Sequence, residues 1–81
     1  MKKIRYELES WDEGRAFMNR LADEVGALVK EINADLRIET DRLTASCHFD
    51  DREFSFILIK LQDESLESMV MMLLKQFKKN N

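Results

Sequence analysis

Ser46, His48 and Asp50 are the residues of this chain whose types could do covalent chemistry: a nucleophile, a base and a carboxylate to orient it, spaced i, i+2, i+4. In a strand that spacing puts all three on one face. Successive same-face positions lie ~6.6 Å apart with roughly parallel side chains, whereas a relay needs contacts of ~2.6–3.2 Å and usually draws its members from separate segments. The spacing therefore predicts a solvated sheet face, with Ser46 out of easy reach of His48, and a hydrolase-like enzyme using His48 ranks third among readings of function. Cys47 points away from His48, so the two cannot form a thiolate–imidazolium pair. It shares a face with Leu43, Ala45 and Phe49 and is expected in the core.

Other chemistry is weaker still. Asp41, Asp50, Asp51 and Glu53 could gather at strand ends as oxygen ligands for a hard cation, but no EF-hand spacing or glycine turn supports a metal site. They read as an acidic hairpin end able to engage a basic partner. No glycine-rich loop follows a strand, so the amide cradle that nucleotide phosphates require is missing and no cofactor is expected. One cysteine makes no intramolecular disulfide, and no His/Cys cluster is present to hold zinc.

The formal charge of −3 disfavours a default nucleic-acid binder, whose footprint is a basic stripe. Its distribution is uneven: +1 over residues 1–9, −2 over 10–34, −5 over 35–67 and +3 over 68–81. The ends are basic and the middle acidic. Lys75, Lys78 and Lys79 fall in what would be a last helical turn, where cations complement the helix dipole. With Lys2 and Lys3 they form the runner-up reading, a nucleic-acid-binding protein using both chain ends, which requires the fold to bring those ends together.

The elements that must position these residues follow from periodicity. Eighty-one residues predict a single domain over 1–81, and 44% hydrophobic with 36% charged residues, no proline and two glycines predict a compact fold rather than disorder. The opening MKKIRYELES turns charged before a signal-like apolar core develops, and no 18-residue apolar run exists, so a cytoplasmic protein without a membrane segment is expected. Ile4, Tyr6 and Leu8 alternate with charges over a strand at 2–8. Ser10 and Glu13 have capping-box spacing, and Phe17, Met18, Leu21, Val25, Leu28, Val29 and Ile32 then predict a helix over about 11–34. Gly26 lies inside that span and makes a small-residue notch with Ala22, for close approach of another element. Alternation predicts strands at 36–39 and 43–49, then a turn at Asp50–Glu53 and a final strand at 53–61. Asp63 or Ser65 caps a last helix whose apolar stripe is Leu66, Met69, Val70, Leu73, Leu74 and Phe77. The fold class is α+β: a two-layer α/β sandwich in β-α-β-β-β-α order, with a mostly antiparallel sheet and two helices.

The last strand is apolar on both faces, with Phe54, Phe56 and Leu58 on one side and Ile57, Ile59 and Leu61 on the other. If both helices cover one face, one set is left over. At about 1.5–3 kcal/mol per buried large side chain, exposing it forgoes much of a small domain's stability. The leading reading is therefore a small acidic protein-interaction module of the adaptor, inhibitor or regulatory kind and not an enzyme. It is expected to homodimerise through Ile57, Ile59 and Leu61, with Met71 and Met72 as a helix-edge contact and Trp11 as an anchor.

Overall fold

The computed structural model describes residues 1–49 and 55–79. In chain order they form β1 (Lys2–Leu8), α1 (Trp11–Val25), β2 (Lys30–Ile32), β3 (Asp35–Glu39), β4 (Leu43–Phe49), β5 (Ser55–Leu61), a 3₁₀ turn at Glu64–Leu66 and α2 (Glu67–Lys79). All strand pairs are antiparallel, in the order β1-β5-β4-β3-β2. The expected α+β architecture of one sheet and two helices is what the chain adopts, with β5 inside the sheet. None of the described helices is long and apolar enough to cross a membrane. The expected turn at Asp50–Glu53, and Phe54, lie outside the described residues.

The helix starts are set by side chains that satisfy orphan amides. Ser10 Oγ accepts from the Glu13 amide at 3.2 Å, while Glu13 Oε2 accepts from the Glu9 amide at 3.2 Å. Asp63 does the same before α2, accepting from the Ser65 amide at 3.0 Å and its hydroxyl at 2.6 Å. Those two bonds, together with Arg42, hold the Asp63 carboxyl below its ordinary range.

The end of α1 departs from the sequence expectation. The helix stops at Val25 instead of continuing to residue 34, because Gly26 adopts a left-handed conformation at φ 68° and its position caps the helix. The apolar spacing of Val25, Leu28, Val29 and Ile32 continues the helical period only by coincidence. Leu28 is 83% exposed, and residues 30–32 instead turn at Asn33, itself at positive φ, into a short hairpin with β3. The sheet thus gains a fifth strand. Gly26 also makes no close approach, since an added Cβ there would meet nothing. That role belongs to Gly14, where a Cβ would lie 2.6 Å from Cys47 Sγ and 2.8 Å from Leu8 Cδ1.

Both helices pack on the same side of the sheet, side by side, with the Phe17 and Phe77 rings edge-on at 5.5 Å. Phe17, Met18, Leu21, Val70, Leu73 and Leu74 meet Leu36, Ile38, Leu43, Ala45, Cys47, Ile57, Ile59 and Leu61 in one core. This corrects the expected interface: Ile57, Ile59 and Leu61 are fully buried inside the chain's own core, because two helices laid together are wide enough to cover that face. The set left outside is Phe56 and Leu58, both half-buried. Arg5 lies over the Phe56 ring at 3.9 Å from its centroid, and the His48 ring flanks it at 5.0 Å. The surplus is smaller than the sequence implied.

Candidate binding face

No described element covers the side of the sheet opposite the helices, and strand register lays its side chains out in three rows running across the strands. The first row is Lys3, Lys60, Thr44 and Glu39. The middle row is Arg5, Leu58, Ser46, Arg37 and Lys30. The third is Glu7, Phe56, His48, Asp35 and Ile32, in which Asp35 and His48 continue the β3–β4 ladder one step past Leu36 and Cys47. Neighbouring strands are about 4.8 Å apart, so the five residues of the middle row span roughly 19 Å.

Charge on this face runs against that of the whole chain. Among the described residues of this face, five cations stand against three carboxylates, although the chain as a whole carries −3. Two cross-strand pairs, Lys3 with Lys60 and Lys30 with Arg37, set like charges directly opposite one another, an arrangement that destabilises a sheet. Among the described residues, Lys3, Lys30, Arg37 and Lys60 form no salt bridge, and Arg5 reaches only Glu7, at 3.8 Å. The Arg37 Nε is buried and has no hydrogen-bond partner among the described residues. Arg37 also lines a depression of about 340 Å³, together with Glu39, Thr44, Ser46, His48, Leu58 and Lys60 among others.

The polar centre of the face corrects a second expectation. Ser46 Oγ lies 3.0 Å from His48 Nε2, because the imidazole is long enough, leaning along the strand, to bridge two same-face positions. The orienting carboxylate is supplied by Asp35 on the neighbouring strand, 3.0 Å from His48 Nδ1. An ionised carboxylate only accepts, so in the neutral ring the proton sits on Nδ1, and Nε2 accepts from the Ser46 hydroxyl. This is the polarity of a hydrolytic relay without its surroundings: Ser46 sits in the middle of a strand paired on both sides, away from any helix N-terminus or turn whose free amides would face an oxyanion.

Asp41 lies in the β3–β4 turn, where Thr40 Oγ1 donates to the Leu43 carbonyl at 2.8 Å, and Arg42 pairs with Asp63 at 2.9 Å. Asp50, Asp51 and Glu53, the rest of the expected acidic end, lie outside the described residues. Of the lysines at the chain ends, Lys2 faces the helix side and pairs with Glu67 at the start of α2, Lys3 faces the open side, and Lys75 lies beside Tyr6, two turns along α2; the side chains of Lys78 and Lys79 lie outside the description. Met71 and Met72 are 41% and 55% exposed on α2, and Trp11 is half-buried against the core with the Arg15 guanidinium 4.7 Å from its ring. Cys47 is core, as expected from its face. Burial first, and the nearby Asp35 second, push its thiol up to about 11.

Comparison with protein-family models, with curated proteins and with solved structures finds no match. The cations of this face were missed in the sequence because they come from four strands. The signal available was alternation: Arg5, Arg37 and Lys60 each stand between apolar neighbours in a strand.

Proposed function

We propose that this chain is a protein-interaction module whose open sheet face takes an acidic segment of a partner protein, laid across the strands along Arg5, Leu58, Ser46, Arg37 and Lys30. The observation that carries the reading is that middle row, which holds three cations and no carboxylate in a protein of net negative charge. Like charges held opposite one another are relieved when a ligand supplies carboxylates between them. Leu58 gives the segment one apolar contact at the centre of the row. A span of roughly 19 Å matches about six residues of extended chain at ~3.3 Å each. The partner's charge is the reverse of that expected from the acidic hairpin end.

Nucleic acid suits the face less well. Single strands bind through bare aromatic platforms and unbroken basic grooves. Here Arg5 already occupies the Phe56 ring, and Glu7, Asp35 and Glu39 interrupt the cations.

The test is a titration of the isotope-labelled protein with an extended Asp/Glu-rich peptide, followed by amide shifts, with a Lys-rich peptide as control. Shifts confined to the middle row, weakening with salt and lost in the double variant Arg5→Glu, Lys30→Glu, are expected. Binding of the Lys-rich peptide alone, or acidic-peptide shifts on the helical side, refutes the reading.

A further inference from the structure

Resting on that reading of the open face, we infer that the depression lined by Arg37 is a subsite for one oxyanion group, a carboxylate or a phosphate carried by the acidic segment. Four observations meet there. Arg37 lines the depression and forms no salt bridge among the described residues, so its positive charge is left for a ligand to meet. Lys60, which also forms no salt bridge among the described residues, lines the same depression and brings a second positive charge. Thr44 and Ser46 add hydroxyls on the strand between them. The volume of about 340 Å³ admits a side-chain carboxylate or phosphate and leaves room for water.

His48, held between Asp35 at 3.0 Å and Ser46 Oγ at 3.0 Å, forms one wall of the depression. Glu39 in the lining opposes an anion, and its removal strengthens the site.

Inorganic sulfate is the probe, since it is a dianion with the tetrahedral oxygens of a phosphate group. Amide shifts are followed in the full chain at constant ionic strength, with chloride as the replaced anion. Saturable shifts at Arg37, Thr44, Ser46 and Lys60 are expected. Arg37→Gln abolishes saturation, and Glu39→Gln tightens binding. A phosphoserine peptide compared with its glutamate counterpart separates the two sources of oxyanion. Sulfate shifts spread over all lysines, or unchanged in Arg37→Gln, overturn the subsite even where the acidic peptide still binds the middle row. Localised sulfate binding in a protein that ignores the acidic peptide sustains the subsite and removes the wider docking reading.

Discussion

Replacing Ile59 with alanine decides which face of β5 is inside. Ile59 is fully buried, facing Ile4 on β1 and Ala45 on β4, under both helices. Truncating a buried isoleucine to alanine removes its transfer free energy and leaves a cavity, together about 2–5 kcal/mol. With Ala45 on one side and only a half-buried Ile4 on the other, partial collapse is available, so about 3 kcal/mol is expected. An 81-residue domain holds about 4–12 kcal/mol in all, at roughly 0.05–0.15 kcal/mol per residue, so the variant loses a large fraction of its stability. Its Tm falls by ~12–24 °C, at ~4–8 °C per kcal/mol for a domain of this size. The assay is urea unfolding followed by circular dichroism and Trp11 fluorescence, beside Leu58→Ala as the outward control. Leu58 is half-buried, so its truncation costs only about 1 kcal/mol. The opposite ranking, with Ile59→Ala nearly neutral for stability but weakening self-association, refutes the placement of both helices on that face.

Two further predictions concern Cys47. Gly14→Ala raises helix propensity by about 1 kcal/mol, yet the new methyl would lie 2.6 Å from Cys47 Sγ, so overpacking of about 1–3 kcal/mol prevails and the variant is destabilised. In a Cys47→Ala background the same change is milder by ~1 kcal/mol or more, and an additive double-mutant cycle would rule out the close approach. The thiol itself links stability to alkaline pH. Its ordinary value is 9.0, and the folded chain holds the proton to about 11, so the unfolded state ionises first and stability declines as pH rises between those values. Urea midpoints at about pH 8 and about pH 10 should differ more in the native sequence than in Cys47→Ala; equal slopes in both would contradict the linkage.

How far the sequence reached is visible element by element. Alternation in residues 2–8 and 43–49 specified both strands, because a half-buried strand must repeat with period two. Ser10, Glu13 and Asp63 marked helix starts through amides that need a partner wherever the helix packs. The end of α1 was hidden because apolar residues at helical spacing continued past Gly26, and spacing alone does not register a left-handed cap. The reach of His48 to Ser46 was hidden because spacing along a strand fixes backbone separation and leaves side-chain lean free.

The sequence by itself determined the class of fold, the strand faces and the residues able to form a core, since each depends on local periodicity and local hydrogen bonding. Only the tertiary structure decided which face of β5 the helices cover, because Ile57, Ile59 and Leu61 and the opposite set are alike in hydrophobicity, and the choice rests on where two distant helices dock. It alone joined Arg5, Leu58, Ser46, Arg37 and Lys30 into one row, and gave His48 the carboxylate of Asp35 from the neighbouring strand. Those contacts form between strands, and the register that sets them is fixed by the packing of the whole sheet against its helices.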